Sequence, residues 1–246
     1  MGREGLRVKK ILRLMQKPTP PCTAIVVAAG SSRRMGGVDK LTADLAGSPL
    51  VLWSLRAMEA SQTVNSVILV VQADRLAEFA ALTANAGLMK LRQVVAGGPT
   101  RADSVRAGLA ALDRGCRLVA IHDAARPLVT PALIDAAVRA AARDGAAAPG
   151  LPVKDSIHRV EGDVAAEALN RAALTAVQTP QCFDRDLYAG ALRKALHDGV
   201  TLTDDCAAME HLGMRVRITA GDERNLKVTT PLDLALVRLL AGEGEP

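Results

Sequence analysis

Residues 25–40 combine a glycine turn with three cations. An apolar run there predicts a buried strand, and Gly30 ends it. Glycine and the two serines that follow it let backbone N–H groups approach an anion closely, while Arg33, Arg34 and Lys40 bring positive charge to the same loop. Such a loop suits a polyphosphate, although an ordinary strand-to-helix turn with solvated arginines uses the same residue types.

An acid and a base lie at the ends of two later apolar runs. Asp123 closes the run 118–123, and a carboxylate at the carboxyl end of a strand can hold Mg²⁺ through one or two oxygens. Asp123 could instead cap a helix or form a turn. Lys227 lies in an apolar strand end, where an ammonium group is costly to bury unless it meets an anion or reaches water. A solvated lysine at the sheet edge is the alternative for Lys227.

Three further segments place glycines or polar side chains at the ends of predicted elements. Gly97 and Gly98 allow a flat ring or a sugar to approach, and Ser104 offers a hydroxyl near the start of the next helix. The segment 178–181 reads Gln-Thr-Pro-Gln. The segment 201–205 opens a helix with hydroxyl and acidic residues, which is typical of a helix cap.

Strand-like and helix-like segments alternate along the chain and indicate how these residues are positioned. The apolar, strand-like runs are 25–29, 66–72, 93–96, 118–123, 147–153, 174–178 and 215–219. The helical stretches between them are 49–60, 75–86, 101–114, 131–144, 185–198, 205–212 and 231–241. Repeated β-α-β units predict an α/β fold with a mostly parallel, twisted sheet flanked by helices on both faces. Ligands bind beyond the carboxyl ends of the strands in such sheets, which is where Gly30 and Asp123 fall.

Several of the predicted helices carry start and stop signals. Three begin with a hydroxyl residue before proline, namely Ser48-Pro49, Thr130-Pro131 and Thr230-Pro231. Helix ends are predicted at the glycines Gly87, Gly115, Gly145, Gly199 and Gly213.

Residues 151–170 interrupt the alternation. Within them, 154–160 is strand-like, and Glu-Gly-Asp is a turn signal. We interpret 151–170 as a projecting β-arm, which must pack on another surface because a two-stranded hairpin is not stable alone. A second subunit of a symmetric homodimer supplies that surface, and folding back on its own domain is the alternative. We expect a single domain over 22–246 that carries this arm.

Composition and charge exclude other classes of protein. Aromatic residues make up only 2% of the chain, which disfavours a base-stacking surface for nucleic acid. The net charge of +5 comes from residues 1–21, with six basic residues against one acid, and the rest balances at 25 basic and 25 acidic. We interpret 1–21 as a basic, flexible N-terminal tail, or as a segment that precedes a true start at Met15.

No apolar run approaches the roughly 20 residues needed to cross a bilayer, and no signal peptide is evident. We therefore expect a cytoplasmic protein that binds neither membrane nor nucleic acid. The four cysteines are far apart in sequence and predict neither a zinc site nor a disulfide framework.

Together these segments resemble one enzyme family over about residues 22–241. The matching motifs are Ala28-Ala29-Gly30 with Arg33-Arg34-Met35 and Lys40, Gly97-Gly98 with Arg101 and Ser104, His122-Asp123-Ala124-Ala125-Arg126-Pro127, Gln178-Thr179-Pro180-Gln181, and Asn225-Leu226-Lys227-Val228-Thr229. The chain resembles the 2-C-methyl-D-erythritol 4-phosphate cytidylyltransferases of the non-mevalonate isoprenoid pathway. Many nucleotidyltransferases share the first motif, whereas the later motifs in this order and spacing are far more specific.

The resemblance implies a Rossmann-like nucleotidyltransferase fold and a particular reaction. The phosphate of methylerythritol phosphate attacks the α-phosphorus of CTP, pyrophosphate leaves, and 4-diphosphocytidyl-2-C-methyl-D-erythritol forms. It also implies Mg²⁺ as the cofactor, no covalent enzyme intermediate, and a homodimer in which the arm of one subunit shapes the acceptor site of the other. Positioning and electrostatics then carry the catalysis.

The resemblance assigns roles to individual residues. Arg34 and Lys40 would steady the transition state and the departing pyrophosphate, Arg171 and Lys227 would orient the acceptor phosphate, and Asp123 would hold the metal. The other predicted substrate-binding residues are Ala28, Ala29, Gly30, Gly98, Ser104 and Ala124 for CTP, and Arg126, Thr179 and Thr203 for the acceptor pocket.

Three alternatives keep the fold and change the activity. Ribitol 5-phosphate cytidylyltransferases share most of these motifs. The short segment 36–39 resembles that of molybdenum-cofactor guanylyltransferases, although 178–181 and 225–229 disfavour that activity. A catalytically silent nucleotide-binding subunit would be expected to lose Lys40, Asp123 or Arg171, and all three are present. A Rossmann dehydrogenase is disfavoured because no G-x-G-x-x-G follows the first strand.

Overall fold

The central strand, Cys22–Ala28, is almost wholly buried because both of its faces meet apolar layers. The structure is a computed structural model that describes residues 19–30 and 39–242. The predictions made for residues 1–18, which form most of the basic tail, and for Arg33 and Arg34 lie outside the described residues.

Strands are numbered in chain order over the described residues. They are β1 Cys22–Ala28, β2 Asp44–Leu45, β3 Ser48–Pro49, β4 Val64–Val71, β5 Leu91–Ala96, β6 Leu118–Asp123, β7 Ala146–Pro152, β8 His158–Glu161, β9 Val164–Ala168, β10 Thr175–Val177, β11 Gln181–Asp184 and β12 Arg217–Ala220. Eight of them form one sheet in the order β10-β7-β11-β6-β1-β4-β5, with β12 beside β7. The pairs β1–β4, β1–β6, β4–β5 and β7–β12 are parallel, which confirms the predicted mostly parallel sheet.

Helices cover both faces of this sheet, as predicted. They are α1 Leu50–Ala60, α2 Leu76–Ala84, α3 Arg101–Ala110, α4 Pro131–Asp144, α5 Arg185–His197, α6 Asp205–His211 and α7 Pro231–Gly242. One apolar layer joins the sheet to α1, α4 and α7, and a second joins it to α3, α5 and α6. Alternate residues of β1, such as Ile25 and Val26, enter opposite layers. Over the residues that the structure describes, no helix is both long and apolar enough to cross a membrane.

Two of the three predicted helix starts are confirmed. The Thr130 and Thr230 hydroxyls accept backbone N–H bonds at the starts of α4 and α7, each with proline as the first helical residue. The prediction for Ser48-Pro49 is wrong, because this pair forms β3 in a short hairpin with β2 and the helix starts at Leu50 without a side-chain cap. At the other end of α4, Gly145 adopts a left-handed conformation with φ of 83°, as a terminating glycine should.

Strand β11 is absent from the predicted strands. It lies between β6 and β7 and pairs antiparallel with both. Its four residues are too few for an alternating pattern, and Gln181 at its start gives it a polar residue in a buried position. The strand therefore depends on tertiary pairing that a local pattern does not reveal.

The predicted arm contains a hairpin of β8 and β9, which pair only with each other. Every residue of the two strands is exposed, so the hairpin does not fold back onto its own domain. The side chains of Val160 and Val164 are 60% and 65% exposed. Assembly through this arm stays a prediction.

Candidate active site

A cleft of about 730 Å³ opens at the carboxyl edge of β1, β4, β5 and β6. Its walls come from the turn after β1, residues 72–73 after β4, the loop 97–101 after β5, and Asp123 at the end of β6. Lys227 and Thr229, from the segment before α7, close one side. The cleft therefore lies where a parallel sheet binds its ligands.

Two glycines at the cleft differ in whether packing of the protein requires them. A Cβ added at Gly97 would lie 2.7 Å from both the Ala29 Cβ and the Ser104 Oγ, so packing of the loop against β1 requires this glycine. A Cβ added at Gly30 would meet no atom of the described residues within 4 Å. The fold described here does not need a glycine at position 30, whereas a ligand that approaches the backbone closely does.

Asp123 is the centre of charge in the cleft. Its carboxylate is nearly buried, and its two oxygens lie 2.7 Å from the Lys227 Nζ and 3.3 Å from the Arg101 Nη2. Burial alone would raise the pKa of Asp123, but the charges of Arg101 and Lys227 outweigh it and hold that pKa well below its usual range. The carboxylate is therefore ionised throughout the neutral pH range.

A chain of buried hydrogen bonds fixes the backbone of Asp123 from behind. Its N–H donates to the Thr179 hydroxyl at 3.1 Å, and that hydroxyl lies 3.0 Å from the His122 Nδ1. His122 Nε2 lies 3.3 Å from the Arg126 carbonyl, which can only accept, so Nε2 carries the proton and Nδ1 accepts from Thr179. Burial lowers the pKa of His122 to about 4, which keeps this ring neutral at pH 7.

Lys40 lines the cleft near Lys227. Its Nζ donates to the Val228 carbonyl at 3.1 Å, which ties it to the segment before α7; this segment is not a strand, so the strand end predicted around Lys227 is wrong. The preceding residue, Asp39, is 2.7 Å from Arg75 and accepts a bond from the Thr42 hydroxyl. Although burial acts to raise the pKa of Asp39, the bonds to Arg75 and Thr42 lower it. The contacts of Asp39 thus help to fix the position of Lys40.

Arg101 is a cleft residue that the sequence analysis quotes in a motif without assigning it a role. It is the first residue of α3, and its guanidinium contacts both Asp123 and the buried Asp205. A signal for this role was present in the sequence. A cation in the first turn of a helix opposes the helix dipole and is favourable only when an acid compensates it.

The structure brings most of the predicted site residues into this cleft. Those that line it are Ala28, Ala29, Gly30, Lys40, Gly98, Ser104, Asp123 and Lys227. The Ser104 hydroxyl accepts from the Gly98 N–H at 3.3 Å, so these two residues support one another.

The other predicted residues do not line the cleft. Ala124, Arg126 and Thr179 lie behind Asp123, with Arg126 Nη1 donating to the Asn225 carbonyl at 2.7 Å. Arg171 lies at the base of the arm, where it donates to the Lys154 carbonyl at 2.8 Å. Thr203 is exposed in the loop before α6. Arg34 lies outside the described residues.

The cleft fits a hard divalent cation only in part. Asp123 is the one carboxylate among the described residues that line the cleft. Within residues 19–30 and 39–242, no group of three or more metal-ligating side chains occurs. Mg²⁺ commonly binds one or two carboxylates and takes its remaining ligands from phosphates and water. A single ionised carboxylate is sufficient for such an ion when a polyphosphate is bound beside it.

The mostly parallel sheet with a cation-lined cleft at its carboxyl edge matches the fold of solved nucleotidyltransferases. A family model described as 2-C-methyl-D-erythritol 4-phosphate cytidylyltransferase matches residues 22–242. The chain belongs to this family, which confirms the resemblance seen in the sequence.

Individual relatives are similar over nearly the whole chain. A 2-C-methyl-D-erythritol 4-phosphate cytidylyltransferase from Pelotomaculum thermopropionicum is 43% identical over 216 residues, covering 87% of this chain and 91% of the relative. One from Halalkalibacterium halodurans is 39% identical over 224 residues, covering 91% and 98%.

Solved structures agree with these relatives. The 4-diphosphocytidyl-2C-methyl-D-erythritol synthase of Anaerococcus prevotii matches with a TM-score of 0.81 and 26% identity, covering 91% of this chain and 99% of that one. The 2-C-methyl-D-erythritol 4-phosphate cytidylyltransferase of Thermus thermophilus matches with a TM-score of 0.72 and 30% identity, covering 89% and 98%.

Proposed function

We propose that the cleft beside Gly30 and Asp123 binds CTP and 2-C-methyl-D-erythritol 4-phosphate together. The chain is a CTP-dependent cytidylyltransferase of isoprenoid biosynthesis, and it transfers the cytidylyl group to this acceptor. The observation that carries the location is that Arg101 and Lys227 flank the Asp123 carboxylate in a cleft that Lys40 also lines. Two anionic substrates repel one another, and this arrangement of cations offsets the repulsion.

The reaction makes one bond and breaks one. A phosphate oxygen of the acceptor forms a bond to the α-phosphorus of CTP, and the bond from that phosphorus to the bridging oxygen of the β-phosphate breaks. Pyrophosphate leaves with the electron pair. The described residues supply position and charge, and no covalent enzyme intermediate is needed.

The nucleotide lies against the turn after β1 and the loop after β5. The backbone at Ala28, Ala29 and Gly30 faces the phosphates and ribose, and Gly98 and Ser104 face the base. Support comes from Gly30, where no atom of the described residues lies within 4 Å of an added Cβ, and from Ser104, which lines the cleft. Lys40 neutralises charge on the departing pyrophosphate, and Arg34 completes this role from the loop.

Mg²⁺ is the metal of this site. Enzymes of the family generally use a divalent metal. When bound, Mg²⁺ withdraws charge from phosphoryl oxygens and orients them. Asp123 is the residue that would hold it, since it is ionised and faces the cleft.

The acceptor lies toward Lys227. The Lys227 side chain is 41% exposed, so its ammonium group can exchange its contact with Asp123 for a phosphate. Arg126 and Thr179 support this end from behind Asp123. Arg171 and Thr203 complete the acceptor pocket, with Arg171 contributed by the arm of a second subunit.

A pyrophosphate-release assay tests the function. CTP, GTP, ATP and UTP are each paired with methylerythritol phosphate and with ribitol 5-phosphate, in the presence of Mg²⁺. We expect release only with CTP and methylerythritol phosphate. Release with ribitol 5-phosphate would reassign the acceptor, and release with GTP alone would remove CTP from the proposal.

Replacing Lys227 separates acceptor binding from nucleotide binding. We expect Lys227→Ala to raise the KM of the acceptor about 10-fold or more, because a charged hydrogen bond contributes about 1.5–3 kcal/mol. The KM of CTP should change much less. Steady-state kinetics with each substrate varied in turn measure both values.

The matched control is Lys194→Ala, which removes a lysine of α5 that pairs with Asp198 and lies outside the cleft. It should leave both KM values within about twofold of wild type. An acceptor KM unchanged in Lys227→Ala would remove Lys227 from the acceptor site.

We propose that the chain acts as a homodimer joined through the arm. Exposed apolar side chains in and around the hairpin, at Ile157, Val160, Val164 and Leu169, support this. A two-stranded hairpin does not hold its own structure in water, so a partner surface accounts for it. The position of Arg171 at the arm base also agrees with a site shared between subunits.

Positive charge added to the β8–β9 hairpin should separate the subunits. For the wild type we expect a mass near twice the 25.7 kDa of the chain in sedimentation experiments. Val160→Lys combined with Val164→Lys should give the monomer mass, with loss of acceptor turnover. Leu232→Lys adds a cation to a 77% exposed leucine of α7 and should stay dimeric. A double variant that sediments as wild type would contradict assembly through the arm.

A further inference from the structure

The carboxylate nearest to the Arg101 guanidinium, that of Asp205, lies outside the cleft. The Arg101 Nη2 is 2.7 Å from the Asp205 Oδ2, whereas its shortest distance to Asp123 is 3.3 Å. Asp205 is only 3% exposed, and it does not line the cleft. One buried carboxylate on α6 thus holds a guanidinium that reaches into the nucleotide-binding end of the site.

Asp205 is itself fixed from two directions. The Tyr188 hydroxyl, on α5, donates to the Asp205 Oδ1 at 2.6 Å. The Gln181 Oε1, at the start of β11, accepts the N–H groups of Asp205 and Cys206 at 2.9 and 3.0 Å. The Tyr188 ring stacks on Phe183 in the apolar layer, with centroids 4.6 Å apart. The carboxylate therefore has little freedom to move.

This anchoring determines which contacts Arg101 can make. A guanidinium with a single acid nearby tends to form a bidentate pair with it, which would place Arg101 wholly on Asp123. Arg101 Nη2 is ion-paired with Asp205 at 2.7 Å, while Nε and Nη2 donate to the Asp123 Oδ1 at 3.4 and 3.3 Å, so the guanidinium lies between two carboxylates. Arg101 also lines the cleft with Gly98 and Ser104, and a guanidinium has five N–H donors, more than these three contacts use.

We infer that Asp205 is a positioning residue for CTP binding: it holds Arg101 between two carboxylates at the cleft so that the guanidinium binds a nucleotide phosphate. This inference rests on the proposed function. The charges support it, since Asp205, Arg101, Asp123 and Lys227 alternate in sign across the site. Removing the first carboxylate lets Arg101 close onto Asp123 and takes both groups away from the substrates.

The test is Asp205→Asn, which keeps the shape of the side chain and removes its charge. We expect calorimetric titration with CTP to give a Kd about 10-fold higher than wild type, as for the loss of one charged hydrogen bond. The KM of the acceptor should stay within about twofold, because Lys227 does not contact Asp205. Asp144→Asn is the control, since it removes an acid from an exposed pair with Arg217 outside the cleft.

A double-variant cycle separates positioning from a general loss of structure. Arg101→Gln removes the group through which Asp205 is inferred to act. If the inference holds, Arg101→Gln with Asp205→Asn binds CTP within about twofold of Arg101→Gln alone. If Asp205 only stabilises the fold, its replacement weakens CTP binding as much in the Arg101→Gln protein as in wild type, and the inference is overturned.

A second variant keeps the test decisive if Asp205→Asn does not fold. Tyr188→Phe leaves the Asp205 charge in place and removes one of its hydrogen bonds. It should raise the Kd of CTP about threefold in wild type and have no further effect with Arg101→Gln. The same effect in both backgrounds would overturn the inference.

The outcomes also distinguish this inference from the proposed function. A wild-type protein that does not bind CTP would refute the proposed function itself. Wild-type binding of CTP with an unchanged Kd in Asp205→Asn would refute the positioning role alone.

Discussion

Lys40→Ala should lower kcat at least about 100-fold, because removal of one preorganised donor costs about 3–4 kcal/mol of transition-state stabilisation. Lys40 lines the cleft, and its Nζ donates to the Val228 carbonyl at 3.1 Å. The ammonium group therefore needs little reorganisation to meet negative charge as pyrophosphate departs. Pyrophosphate release at saturating CTP and acceptor measures the effect.

The chain offers a closely matched control for this experiment. The Lys90 Nζ also donates to a backbone carbonyl, that of Ser61, at 2.6 Å, and Lys90 does not line the cleft. Lys90→Ala should keep kcat within about twofold of wild type. A Lys40→Ala protein that turned over within a few-fold of wild type would show that Lys40 does not stabilise the transition state.

Two of the predicted site residues that the structure places in the cleft follow a buried strand. Gly30 and Asp123 each end an apolar run, and parallel strands bring their carboxyl ends to one edge of a sheet. Pairing of β1 with β6 places Val27 opposite Asp123, so the two predicted features become neighbours. Local pattern and a general rule of topology are sufficient for this part of the site.

Features that depend on pairing with another segment were not predictable in the same way. Ser48-Pro49 has the residue types of a helix start, but its pairing with Asp44 and Leu45 in a small hairpin delays the helix. Strand β11 is short and exists through its pairing with β6 and β7. The contact of Arg101 with Asp205 joins two helix starts far apart in sequence, and each looks like an ordinary cap by itself.

The residues given roles by the family resemblance also differ in whether the structure places them in the cleft. Ala124 and Arg126 belong to the motif that holds Asp123, and Thr179 to the later motif 178–181, yet all three lie behind Asp123. Sequence proximity to a site residue does not tell which side of the strand end a neighbour takes. Arg171 does not line the cleft in one subunit, so only the assembled protein can test its role.

Asp123→Asn should uncouple binding from turnover. The substitution removes the acid that pairs with both Arg101 and Lys227, so the cleft attracts anions more strongly and the Kd of CTP should be unchanged or lower. We expect kcat to fall at least about 100-fold, as for the loss of one preorganised electrostatic group at the reacting phosphate. Calorimetric titration with CTP and pyrophosphate release measure the two effects on the same protein.

This prediction is specific because CTP binding should be kept or strengthened while turnover is lost. A variant that merely damaged the fold would lose binding and turnover together, and Asp144→Asn, whose carboxylate pairs with Arg217 away from the cleft, should change neither. Titration with Mn²⁺ in the presence of CTP gives a third readout, since loss of the carboxylate should weaken metal binding to the complex. Wild-type turnover in Asp123→Asn would exclude Asp123 as the metal ligand and move the centre of the reaction elsewhere in the cleft.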